Sequence, residues 1–214
     1  MAGRPTVGLG TVYRRDGEMG KNRLEAFSDG VLAIIITIMV LELKVPHGTD
    51  LTVLEPLLPV FLSYVLSFVY VGIYWNNHHH LLHAAGKVSG GVLWANLNLL
   101  FWLSLLPFAT GWMGENHFAP LPSAIYGVVL LMAAVAYYLL QNRIIAADGA
   151  DSVLRRAIGR DWKGKVSPLI YVAAIGVSFA MPYAAQLLYV TVALVWLVPD
   201  TRIERTLRGG GEES

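Results

Sequence analysis

The 214-residue chain is 55% hydrophobic and 14% charged, with a formal net charge of +1 and no cysteine. A soluble domain carries about 25% charged residues, so this composition argues against a soluble enzyme, a nucleic-acid binder and a disordered tail protein, and the absence of thiols excludes disulfides and thiolate metal sites. A mean hydropathy of +0.53, with apolar runs too long for one globular core, marks an integral membrane protein.

Residues 1–22 hold Arg4, Arg14, Arg15 and Lys21 without an apolar stretch, so they read as a cytoplasmic extension and not as a cleavable signal. A helix crossing about 30 Å of hydrocarbon needs roughly 20 mostly apolar residues. Four such spans are predicted at about 23–43, 56–77, 92–112 and 122–143, separated by Pro46–Gly48, Gly86–Gly91 and Pro120–Pro122. After the polar stretch 147–165, the apolar region 166–199 is too long for one span and short for two. Pro182 near its middle breaks a helix, which predicts two short spans, 166–181 and 183–199, joined by a tight hairpin. The six helices form one transmembrane domain over 23–205, and 206–214 reads as a flexible tail.

Charge placement tests that count. With six spans, one side receives Arg4, Arg14, Arg15, Lys21, Arg23, Lys87, Arg143, Arg155, Arg156, Arg160, Lys163, Lys165, Arg202, Arg205 and Arg208. Only Lys44 falls on the other. Five spans would send the last three arginines across. Basic residues concentrate on the cytoplasmic side, so the expected topology is an all-α protein with six transmembrane helices and both termini in the cytoplasm.

The first span opens with Arg23-Leu-Glu-Ala-Phe-Ser-Asp-Gly30, and Val31–Leu41 follows without a charge. Asp29 lies about two turns inside, where a charge costs up to about 2.5–3.5 kcal/mol at mid-bilayer on insertion scales. Either protein neighbours satisfy it or it snorkels to the interface. At 100° per residue, Arg23, Phe27, Gly30, Ile34, Thr37, Ile38 and Leu41 share one face, and Ser28 and Asp29 point away from it. Several copies of this helix around an axis would present Ile34, Ile38 and Leu41 as a hydrophobic constriction, which gates by dewetting. Periodicity alone favours the plainer reading, in which that face packs against neighbouring helices. Glu42, next to Leu41 near the outer mouth, is either a cation-attracting ring or an interfacial side chain.

Polar groups recur at the depth of Ser28 and Asp29. The second span ends in Trp75-Asn-Asn-His-His-His80 with His83 beyond, and the third begins with Trp94, Asn96 and Asn98. An interhelical hydrogen-bond network is expected there, at about 0.6 kcal/mol per bond and up to about 2. His79 and His83, four apart, have a metal-chelating spacing, but no second ligand pair stands out beyond Asp29.

Together these residues resemble the transmembrane-protein-175 family of endolysosomal and bacterial potassium channels. The resemblance rests on Arg23-xxx-Phe27-Ser28-Asp29, on Gly30–Pro46, on Trp75–His79, on Trp94 and Asn96 with Leu106–Thr110, and on Leu197–Arg205. It implies a single six-helix bacterial-type unit, in the bacterial plasma membrane, that assembles as a homotetramer with the first helices lining a central pore. It further implies that Ile34, Ile38 and Leu41, with Thr37 nearby, form the constriction in place of a carbonyl filter. By the same resemblance, Arg23, Ser28 and Asp29 bond to His78 or His79, Trp75 and Asn96 in neighbouring helices. Departures are His80, where many members have Arg, and the N-terminal extension.

The expected function is a weakly selective, leak-like conductance for potassium and other monovalent cations, with protons crossing on a transient water wire. Potassium is the permeant ion, and no bound cofactor is expected. The expected partners are a further copy of the chain and membrane lipid, with no nucleic acid. The rival reading is a proton-coupled or metal-ion transporter using Asp29 and the His78–His83 cluster. An enzyme is not expected, since no nucleophile–base pair, HExxH run or usefully spaced carboxylate pair is present.

Overall fold

The first helix, α1, spans Leu9–Leu41 and therefore starts well before the span predicted at 23. No proline falls between those residues, so nothing interrupts its hydrogen-bond ladder. The computed structural model describes residues 9–152, 154–155 and 162–197, and every regular element in them is helical. Arg4, Arg156, Arg160, the arginines beyond 201 and the C-terminal tail lie outside the described residues, as do the side chains of Arg14 and Arg15.

A 3-10 turn at Leu51–Leu57 leads into α2, Leu58–His83. This helix runs past the predicted end at 77, so the whole His78–His83 stretch is helical. Next come α3, Gly90–Ser104, and α4, Leu106–Glu115. The side chain of Ser89 caps α3 by accepting from the Val92 amide at 3.3 Å. The run predicted as one span at 92–112 is broken at Leu105, because Pro107 has no N–H for the Leu103 carbonyl and the ladder must restart. A long α5 follows at Pro120–Asp148, then α6 at Trp162–Ser178 and α7 at Pro182–Leu197. Pro182 takes the first position of α7, where a missing N–H costs nothing. Four segments are long and apolar enough to cross a membrane: 20–41, 51–83, 90–115 and 120–148. The last two helices, of 17 and 16 residues, each reach about 25 Å.

Inside the bundle α5 packs against α3, α4, α6 and α7, while α2 packs against α4 and α7. Between apolar helices in lipid, close packing and hydrogen bonds must supply the attraction that water supplies elsewhere. Glycines permit that closeness. A Cβ at Gly114 would lie 2.7 Å from the Val60 Cα of α2, and one at Gly127 would collide with the Tyr189 hydroxyl of α7. Four tyrosines from four helices, Tyr70, Tyr126, Tyr171 and Tyr189, meet ring to ring at 5.5–6.5 Å. The Tyr70 hydroxyl donates to the Tyr189 carbonyl at 2.6 Å, and Tyr189 donates to the Ser123 carbonyl at 3.0 Å. Tyr126 bonds Ser67, which also bonds Thr110 at 2.7 Å. These pairings meet the demand that polar groups in hydrocarbon be satisfied within the protein. Helix α1 sits to one side, against α2, α3 and α4.

Candidate functional site

The stripe predicted on α1 is the face its own protomer leaves uncovered. Leu24, Ser28, Leu32, Ile35 and Met39 turn inward and are buried. Arg23, Gly30 and Thr37 are exposed, as are Phe27 (53%), Ile34 (57%), Ile38 (42%) and Leu41 (80%). A spacing of three or four residues keeps each set on one side of the helix. The Thr37 hydroxyl donates to the Ile34 carbonyl at 2.8 Å, so its hydrogen is already engaged. Glu42, exposed beyond the end of α1, borders a hollow of about 690 Å³. Lys44 lines the same hollow and pairs with Glu115 at 2.6 Å. That hydrogen bond is the main cause that raises the Lys44 pKa above 10.5.

Polar groups anchor the opposite face. The Ser28 hydroxyl donates to the Leu24 carbonyl at 2.8 Å and accepts from Asn96 Nδ2 at 2.9 Å. Asn96 Oδ1 is then free to accept, and it lies 2.7 Å from His78 Nε2. The proton of His78 is therefore on Nε2. All three residues are buried, and His78 Nδ1 has no hydrogen-bond partner among the described residues. One helical step away, Trp75 Nε1 donates to Asp29 Oδ1 at 3.1 Å. His79 does not join this chain: its Nδ1 meets Glu25 Oε1 at 2.8 Å, and its ring stacks on His83 at 6.2 Å.

Two residues predicted in the network stand outside it. Arg23 is exposed with no hydrogen-bond or ion-pair partner among the described residues, and Trp94 is 76% exposed on the outer side of α3. The cause is azimuth: Arg23 lies on the outward stripe of α1, and Trp94 is two residues, or about 200°, from the inward-facing Asn96. Two anchors escaped the sequence reading. Lys21 Nζ donates to the carbonyls of His83 at 2.7 Å and Ala85 at 3.2 Å, placing a cation at the negative end of α2. Glu25 holds His79. Lys21, Glu25, Ser28 and Asp29 follow the i, i+4, i+7, i+8 spacing of one helical face, and that pattern was the available signal. Asp148 was also missed; it accepts from the amides of Gly86 and Lys87 at 3.1 and 3.0 Å, tying the α2–α3 loop to the end of α5.

Among the described residues no group of three or more His, Asp or Glu is placed to hold a metal ion. Asp29, His78 and His79 instead engage Trp75, Asn96 and Glu25 respectively.

Fold and site define a multi-pass helical membrane protein whose first helix is pinned on one face and bare on the other. Residues 23–107 match the family model described as endosomal/lysosomal potassium channel TMEM175. A protein of Chryseobacterium sp. (strain P1-3) named as a potassium channel is 58% identical over 190 residues, covering 89% of this chain and 99% of that one. The chain belongs to the TMEM175 family. A potassium channel of Chamaesiphon minutus is 32% identical over 171 residues, 73% of this chain and 83% of that one. The rat endosomal/lysosomal proton channel TMEM175 is 28% identical over 145 residues, of which this chain covers only 28%. The crystal structure of a lysosomal potassium-selective channel TMEM175 homologue from Chamaesiphon minutus has the same fold, with a TM-score of 0.70 over 85% of this chain and 98% of that one at 24% identity.

Proposed function

We propose that the chain is a potassium-permeable channel of a bacterial membrane, in which the first helices of a homotetramer surround a central conduction path. The observation that carries this reading is the exposed stripe Phe27, Ile34, Ile38 and Leu41 on a helix whose other face is fixed by side chains from α2 and α3. Geometry favours four copies. Packed helices with axes about 9 Å apart sit about 6–7 Å from a four-fold axis, and a helix with its side chains has a radius of about 5–6 Å, leaving a gap of about 1 Å. Three copies would close the path, and five would open it to a hydrated ion.

In this reading Ile34, Ile38 and Leu41 form successive apolar rings, Thr37 lies between them, and Glu42 forms an acidic ring at the outer mouth. Arg23 and Phe27 face the cytoplasmic entrance. The domain over 23–205 crosses the membrane six times with both termini in the cytoplasm, a topology supported by the one-sided placement of Lys and Arg. An apolar ring offers no oxygen ligands, so an ion must pass with little replacement of its water. Potassium sheds water more readily than sodium, which yields modest selectivity for potassium, rubidium and caesium. Protons can cross on a transient water file. Ser28, Asp29, Trp75, His78, His79 and Asn96 set the tilt and rotation of α1 and so the width of the rings.

The test is potential-driven cation flux in liposomes for the wild type and for Ile38→Asn. The expected result is potassium flux that the substitution enlarges while lowering the potassium-to-sodium ratio. Flux unchanged in Ile38→Asn and Ile34→Asn would overturn the pore assignment. Saturable exchange coupled to a proton gradient would overturn the channel in favour of a transporter.

A further inference from the structure

A second feature lies away from α1, at the cytoplasmic ends of α2, α5, α6 and α7. There a cavity of about 50 Å³ is walled by aromatic rings, among them Tyr70, Tyr74, Tyr137, Tyr171 and Trp196. No Asp, Glu, Lys, Arg or His lines it, so nothing in its wall neutralises an ionic guest. One polar group in the wall is unexplained. Gln141 of α5 is only 6% exposed, yet its amide bonds no protein group among the described residues. A primary amide carries two donors and an acceptor, and leaving it unmade inside a membrane protein is costly. By contrast, the other polar wall residues are already engaged. Trp196 Nε1 donates to Ser167 Oγ at 2.8 Å, Asn77 Nδ2 donates to the Ile73 carbonyl at 2.8 Å, and Tyr137 donates to the Asn77 carbonyl at 3.2 Å. A mostly apolar chamber with one open hydrogen-bonding group is how small-molecule sites are built.

We propose that this cavity binds a neutral amphiphile, whose apolar body lies among the tyrosine rings while a hydroxyl or ester carbonyl bonds the Gln141 amide. Two sources share that chemistry: the glycerol-ester region of a membrane phospholipid and a free phenol or alcohol. The rings suit either, because aromatic faces hold apolar groups and edge contacts alike. The site is separate from the stripe of α1, and it stands whether or not that stripe lines a pore.

The experiment uses the full chain in nanodiscs, with 4-butylphenol as the probe and equilibrium binding and native mass spectrometry as readouts. Saturable probe binding above that of protein-free nanodiscs is expected. Gln141→Leu should weaken it roughly tenfold, the loss of one buried hydrogen bond. Ala134→Phe, which fills the cavity from the opposite wall, should abolish it. Should either variant misfold, the other carries the comparison, with circular dichroism as the check. A phospholipid retained by the wild type, displaced by the probe and absent from Ala134→Phe would identify lipid as the natural source. Probe binding without retained lipid would identify a free amphiphile. Partition no greater than into empty nanodiscs, without retained lipid, would mean that water alone satisfies Gln141 and would overturn the proposal, as would equal affinity in the wild type and both variants.

Discussion

Replacing Asn96 with alanine isolates the junction that fixes the first helix. The wild-type side chain spans from Ser28 Oγ at 2.9 Å to His78 Nε2 at 2.7 Å. Without it, Ser28 keeps the Leu24 carbonyl as its acceptor, so that hydroxyl loses only one incoming bond, worth about 0.6 kcal/mol in a membrane protein. His78 fares worse. Its Nδ1 already lacks a partner among the described residues, and now the buried Nε2–H is orphaned too, at about 1–3 kcal/mol. The sum is about 2–3 kcal/mol of lost stability, against about 1 kcal/mol for Ser28→Ala, which strands only one amide proton. Adding His78→Leu to Asn96→Leu should recover most of the loss, because replacing both partners with apolar groups leaves no unmet donor. Equilibrium unfolding in mixed detergent and SDS micelles gives these differences. A loss below about 0.5 kcal/mol for Asn96→Ala, or no recovery in the double variant, would refute the argument that this network anchors α1.

Three other outcomes follow from contacts outside the stripe. Gly114→Ala should destabilise the fold by about 1–3 kcal/mol, because its Cβ would lie 2.7 Å from the Val60 Cα and 3.3 Å from the Pro59 carbonyl; the same unfolding assay reads it, with Gly111→Ala, which meets nothing within 4 Å, as the control. Lys21→Met should loosen the end of α2 by about 0.3–1 kcal/mol, seen as faster amide exchange at Ala84 and Ala85. Glu115→Gln should lower the Lys44 pKa toward 10.5, since the carboxylate is what raises it; NMR of the Lys44 side chain follows the titration. The raised pKa means that the pair's contribution is fully present below 10.5 and fades as pH climbs through the folded value, so the wild-type and Gln variants should converge in stability only at strongly alkaline pH.

Much about α1 was legible in one dimension. Charge content and run length define a membrane protein, because a bilayer demands about 20 apolar residues per crossing. The 3.6-residue period then fixes that Phe27, Ile34, Ile38 and Leu41 share a face and that Ser28 lies opposite. Spacing is silent on which of two opposite faces a neighbour covers, because periodicity has no preferred azimuth. That choice belongs to packing against α2, α3 and α4, and it leaves the isoleucine stripe bare. Partner identity likewise needed the tertiary structure. His78 and His79 are adjacent in sequence, yet their 100° offset sends one to Asn96 and the other to Glu25. Trp94 and Arg23, at the right depth, point the wrong way. The tyrosine cluster left no sequence signal: Tyr70 and the carbonyl it bonds are 119 positions apart, and only the packing of α2 against α7 brings them together. Composition and period thus determine what one helix is and how its own residues are arranged about its axis, while the rotation of each helix against the others is decided by close packing and by the need to satisfy every buried polar group.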